Sequence, residues 1–317
     1  LSWAKIVHGQ SLKWIGALVS ITSPNTFSLS LPEAYAEELS TEADRLLQLK
    51  AADLIDVRKF AGRCSWAGGF VPGMNAMIAP LWAAISDCIK ATKSKSGGAR
   101  PCMVPVVRIT LALRWIIAFC RGRAGTLTRT FDSRIHRATA RLHMEFDASP
   151  WGLGGVLFID GLPSRFYAQG IQQEDLEKFE IIVGDCSCQA IVENLAILIG
   201  VRMWLPLWKS QRVTVTIKTD SMAAIGAWSK ERSSKPAINA IVREMALDQA
   251  EGLYECTVIE HISVVDNDIA DALSRLSEPD AGKTLPACLQ WATRDSPPKR
   301  SASYWRVAAG PSRGGAG

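Results

Sequence analysis

At Leu142 the spacing of apolar residues changes, and that change limits the possible folds more than any other feature of the chain. Upstream, apolar positions recur mostly with helical spacing. From Leu142 they form three short strand-like runs divided by glycine-rich turns: Met144-Glu145-Phe146-Asp147, Gly155-Val156-Leu157-Phe158 and Arg165-Phe166-Tyr167-Ala168. This spacing predicts a three-strand antiparallel meander. A long helix is expected over Gln189–Trp208, then a strand in which Val213, Val215 and Ile217 alternate with Thr214, Thr216 and Lys218. Helices over Ser221–Trp228 and Pro236–Gln249, a strand over Tyr254–Ile262 and a helix over Asp268–Leu276 complete the order. Hairpin-linked strands followed by helix-separated ones give an α/β fold, a mixed five-stranded sheet with three antiparallel and two parallel strands and helices packed on it.

The upstream part reads as strand and turn over Leu1–Ile21, then helices over Glu33–Leu54, Val57–Trp66, Met77–Lys90 and Met103–Arg121. Lys93–Pro101 has linker composition, and Arg123–Arg141 is a basic connector. The expected organisation is therefore a mainly helical segment over 1–90, a basic linker and helix over 91–141, and the α/β domain over 142–278. The remainder, 279–317, is rich in Pro, Gly, Ser and Arg and is expected to be a disordered tail.

Charge is segregated along the chain. Asp87 to His143 holds 12 Lys and Arg against two acids, net +10, whereas Met144 to Glu278 holds 11 against 20, net −9. A phosphate-attracting segment is thus joined to a domain whose carboxylates could hold cations. None of the eight cysteines is in C-x-x-C spacing, so neither zinc nor disulfides are expected, and an intracellular, reducing location is. Apolar segments such as Leu111–Cys120 fall far short of the ~18 residues of a membrane span, and no membrane partner is expected. The start at Leu1, without a leader, suggests an internal fragment.

Four acids stand where surface solvation does not require them. Asp147 ends the first strand of the α/β domain and Asp220 ends the fourth. Glu193 lies among apolar neighbours inside the long helix, and Asp271 begins the last helix. Carboxylates meeting at one sheet edge repel unless a cation or proton sits between them. Magnesium, a hard cation preferring oxygen ligands, suits such a set, and two such ions can drive phosphodiester hydrolysis.

Four blocks in order, FDASPWGLGG (Phe146 to Gly155), AIVENLAILIG around Glu193, TDSMAAIGA (Thr219 to Ala227) and HISVVDNDIADALSR (His261 to Arg275), resemble the ribonuclease H domain of reverse transcriptases from LTR or DIRS-like retrotransposons. Val57 to Leu81, with Phe60, Gly62, Phe70-Val71-Pro72 and Ala79-Pro80-Leu81, resembles the thumb-to-connection segment of the same polymerases. Leu12 to Ile21 looks like the strand after their active site. The resemblance implies a ribonuclease H-like fold and cleavage of the RNA strand of an RNA–DNA hybrid. It further implies that Asp147 bridges two Mg2+ ions, with Mn2+ a plausible substitute. Glu193 and Asp220 would complete one coordination shell and Asp271 the other, while His261 would assist proton movement or product release. The rest of a polymerase polyprotein is the implied partner.

The chain departs from that pattern in places. It has no Asp-Asp dipeptide, so DNA synthesis is not expected. Ser229–Lys235 is only a short loop where some relatives carry a basic helix, so hybrid affinity is assigned to Arg108, Arg114, Arg121 and Arg123 in the basic block. Trp151, beside Asp147, and Asn267, in the last block, are further candidate nucleic-acid contacts. Trp204, Trp208 and Trp228 sit at helical spacing and are expected to pack, and the acidic stretch Gln172–Asp185 is expected to be a surface excursion. The competing reading is a non-catalytic, hybrid-holding connection module of the same fold, against which the four retained acids argue.

Overall fold

The computed structural model describes residues 9–93, 102–132, 142–208, 215–252, 257–279, 282 and 284–311. The chain divides into two units, 1–134 with 249–251 and 310–317, and 135–248 with 252–309.

In the first unit, β1 (Ser11–Trp14), β2 (Ala17–Ser23) and β3 (Thr26–Ser30) form an antiparallel meander that β6 (Thr128–Asp132) extends. The intervening helices are α1 (Glu33–Leu47), α2 (Leu54–Gly68), α3 (Met74–Lys93) and α4 (Thr110–Cys120). In α1, Ala36, Leu39, Ala43 and Leu46 recur every three or four residues and are buried, and α1 packs on α4 as α2 does on α3. Three expectations change here. The first helix stops at Leu47, and Ala51–Asp53 becomes β4, paired antiparallel with β5 (Met103–Pro105). The proline ring pushes the residue before it to extended backbone, so Val104 stays in β5 and helix α4 starts only after a short 3-10 turn rather than at Met103. The connector after Arg123 supplies β6.

Cys88, near the end of α3, and Cys102, beside β5, are disulfide-bonded with Cα atoms 6.5 Å apart, against the expectation of reduced cysteines. The packing of α3 on β5 brings them together, a tertiary proximity that cysteine spacing does not reveal.

The second unit contains β7 (Leu142–Ala148), β8 (Gly152–Ile159), β9 (Leu162–Gly170), α5 (Gln173–Phe179), α6 (Gln189–Trp204), β10 (Val215–Thr219), α7 (Met222–Lys230), α8 (Pro236–Ala250), β11 (Thr257–His261), α9 (Asp268–Ser274), β12 (Thr293–Arg294) and α10 (Arg306–Ala309). Its sheet runs β11-β10-β7-β8-β9-β12. The meander β7-β8-β9 is antiparallel, and β10 and β11 join it in parallel, as expected for a ribonuclease H-like mixed sheet. Leu142, Met144, Phe146 and Ala148 alternate onto one face, where α6 covers them, while α9 packs on the other. The segment Cys186–Trp204 is long and apolar enough to cross a membrane, but here its residues 195–199 are fully buried in this core.

The expected disordered tail is corrected: residues 284–309 are part of the second unit. Strand β12 pairs in parallel with β9, and Asp295 accepts from Trp204 Nε1 and Arg165, both at 2.8 Å. The Arg300 side chain is fully buried, donating to Asp175 at 2.6 and 2.5 Å and to Gln169 at 3.0 Å, while Trp305 joins the main core. The acidic stretch is exposed along much of its length, as expected of a surface excursion, but Asp175, Phe179 and Ile181 anchor it by being buried. A buried carboxylate requires a partner, and the last segment supplies it.

Candidate active site

Asp147 lies near the end of β7, on the face opposite the main core. Parallel β10 is in register with β7 through Lys218 opposite Glu145, and residues two apart share a face, so Asp220 comes level with Asp147 at the same sheet edge. Glu193 enters from the first turns of α6, whose Gln189 Nε2 donates to the carbonyl of Ala148 and so fixes the helix start beside the strand end. Asp271 is carried by α9, which lies across β7 and β8.

Each of three carboxylates is turned to a local donor. Ser274 Oγ donates to Asp147 Oδ2 at 2.7 Å, Ser221 Oγ donates to Glu193, and Arg275 Nε donates to Asp271 at 2.6 Å. Burial pushes the Asp147 carboxyl up to about 7; the Ser274 bond opposes this, while Asp220, Asp271 and Glu193 add to it. Burial also raises Glu193, eased by Ser221 and Gln189 and reinforced by Asp220. The four acids therefore share one electrostatic environment. Among the described residues, however, no three His, Cys, Asp or Glu side chains are gathered closely enough to hold one metal ion. Like charges hold carboxylates apart.

His261 ends β11 directly opposite Thr219, one residue before Asp220, and is exposed. Trp151 is half-buried, its backbone N–H held by Ser149 Oγ at 3.2 Å. Asn267 is corrected as a nucleic-acid contact. It is 1% exposed and its Nδ2 donates to the carbonyl of Phe146 at 3.2 Å, so it ties α9 to β7 instead. The four arginines all lie in the first unit; Arg114 and Arg123 are exposed, whereas Arg108 pairs with Asp87 and Arg121 with Asp44. Trp204 and Trp228 pack as expected, with Trp228 Nε1 donating to Asn194 Oδ1 at 3.0 Å. The Trp208 side chain lies outside the described residues.

Sequence reasoning missed a cavity of about 540 Å³ in the second unit, between the start of α6, helix α7 and the loop that follows it. Met222, Gly226, Lys230, Arg232, Ser233 and Lys235 contribute to its lining. The available signal was three basic residues within six positions, hidden in a loop judged only by its length. The serines that hold Glu193 and Asp147 were missed as well, although Ser221 and Ser274 stand inside the blocks TDSMAAIGA and HISVVDNDIADALSR, the signal that could have found them.

No protein-family model matches the chain, and no curated protein matches it. Among solved structures it is similar to RNase H1 from the halophilic archaeon Halobacterium salinarum NRC-1, with 17% identity over 42% of this chain and 93% of that one, at a TM-score of 0.32. Similarity also extends to the N-terminal RNase H domain of rv2228c from Mycobacterium tuberculosis, with 13% identity, 42% and 95% coverage and a TM-score of 0.32. A foamy viral protease-reverse transcriptase in complex with RNA/DNA hybrid matches at 14% identity over 80% of this chain and 29% of that one, with a TM-score of 0.28.

Proposed function

We propose that the second unit hydrolyses the RNA strand of RNA–DNA hybrids as the ribonuclease H part of a retroelement reverse transcriptase. One observation carries this reading: a buried Asp147 whose carboxyl is raised to about 7 in the company of Asp220, Asp271 and Glu193 at one sheet edge. Keeping four acids there is costly unless a cation or proton relieves them, and perturbed carboxylates of this kind mark chemistry more often than architecture.

The donor set fits magnesium or manganese, because it consists wholly of hard carboxylate oxygens. Asp147, Glu193, Asp220 and Asp271 are the residues that would hold two such ions. Bound there, the ions supply Lewis acidity at the scissile phosphate. The chain's own groups do the rest. His261, exposed at the end of β11 opposite Thr219, is the group that would carry a proton at its imidazole. Lys230, Arg232 and Lys235 attract backbone phosphates, and 2′-hydroxyls in the wide minor groove of an A-like duplex distinguish RNA from DNA. A polymerase polyprotein partner belongs to the same proposal.

A non-catalytic, hybrid-holding module of the same fold is the second reading, favoured by the lack of three converging ligands among the described residues. Asp147→Asn separates the two. The nuclease reading expects cleavage to be abolished with most hybrid binding retained; a wild-type chain that binds hybrid without cutting it supports the module.

A further inference from the structure

We propose that Ser274 is a positioning residue for the carboxylate site, its hydroxyl holding Asp147 and fixing it to helix α9 so that Asp147 and Asp271 face a divalent cation as one preset pair. This inference rests on the nuclease reading and names how its site is held.

Ser274 is the last residue of α9 and is fully buried. Its Oγ lies 2.7 Å from Asp147 Oδ2 and 2.9 Å from the carbonyl of Asp271, three residues earlier in the helix. A hydroxyl has one hydrogen and cannot donate to both at once. The bond to the carbonyl is a local one open to any helical serine, whereas the bond to Asp147 spans 127 positions and follows from tertiary packing alone. Holding Oδ2 also sets the direction of the other carboxylate oxygen.

The contact is possible because α9 lies directly on β8. A Cβ at Gly154 would come within 2.6 Å of both the Ala270 carbonyl and the Ser274 nitrogen, and one at Gly152 within 2.6 Å of the Ser274 carbonyl. Glycine alone permits that approach. Two further bonds pin the helix on either side of Asp147. Ser149 Oγ donates to the Ser274 carbonyl at 2.9 Å, and Asn267, at the start of α9, donates to the Phe146 carbonyl. Asp271 sits between these anchors. Ser274 is thus the side chain through which the helix bearing one acid grips another acid directly. Donors behind a ligating carboxylate orient it and raise metal affinity.

The test uses the full chain, with Mn2+ binding followed by electron paramagnetic resonance of the free ion and hybrid binding measured in chelator. Ser274→Ala is expected to weaken Mn2+ binding about 10- to 100-fold while hybrid binding in chelator stays unchanged. Ser274→Cys keeps nearly the same volume but donates weakly, so it is expected to weaken Mn2+ binding too, and it remains informative if the alanine variant misfolds. Wild-type Mn2+ affinity in the cysteine variant overturns the positioning role, since volume and not the hydrogen bond would then be what matters. A wild-type chain that binds no Mn2+ overturns the nuclease reading and this inference with it.

Discussion

Asparagine at position 147 should change how the stability of the second unit depends on pH. The Asp147 carboxyl rises from an ordinary 3.8 to about 7 in the folded chain, chiefly because it is buried. Below pH 3.8 the group is protonated in both folded and unfolded chains, so it exacts nothing. Between about pH 4 and 7 the folded chain keeps a proton that the unfolded chain releases, and stability falls as pH rises; above 7 the loss is complete. At 1.36 kcal/mol per pH unit, the part of this window above pH 5 amounts to about 3 kcal/mol. Burial also raises Glu193 and Glu244, but these are common to both proteins and largely cancel in the comparison. Urea denaturation in chelator, read by hydrogen exchange of the β7 amides at pH 5 and pH 8, gives the difference between wild type and Asp147→Asn. The variant should gain about 3 kcal/mol on the wild type between the two pH values, and magnesium at pH 8 should narrow the gap by stabilising only the wild type. Parallel pH profiles for the two proteins would refute the claim that a buried, crowded carboxylate sits at this position.

Arg300→Ala leaves Asp175 charged and unpaired in the core; it should cost about 3–5 kcal/mol in denaturation experiments, whereas a disordered tail would show no effect. Replacing Lys230, Arg232 and Lys235 together by alanine should flatten the salt dependence of hybrid affinity by a slope of about 2 to 3 if each neutralises a phosphate. Arg108→Ala and Arg121→Ala should alter that slope less, because these guanidiniums already pair with Asp87 and Asp44.

Strand periodicity made the meander and the two parallel strands legible, since alternation at Met144, Phe146, Val215 and Ile217 has no other economical explanation. The same alternation placed Asp147 and Asp220 at neighbouring strand ends, and motif order located Glu193 and Asp271. What escaped the sequence depends on long-range contacts. Arg300 and Trp305 sit in a stretch with the composition of a linker, yet a buried ion pair, a buried indole, the β12–β9 pairing and the bonds of Asp295 fasten it. Asn267 is a candidate contact by its place in the last block, four positions before Asp271, and only packing shows that its amide is spent on the Phe146 carbonyl. Cys88 and Cys102 meet through a helix and a strand that composition does not juxtapose. Ser221 and Ser274 lie inside the blocks TDSMAAIGA and HISVVDNDIADALSR, but only the folded chain shows which acids their hydroxyls meet.

The central claim is that the second unit is a metal-dependent nuclease acting on RNA paired with DNA. Incubating the full chain with a hybrid labelled in its RNA strand, with magnesium and with chelator, tests it most directly. The account predicts RNA fragments ending in 5′-phosphate and 3′-hydroxyl with magnesium only; an intact RNA strand in both conditions, or cleavage that persists in chelator, would contradict it.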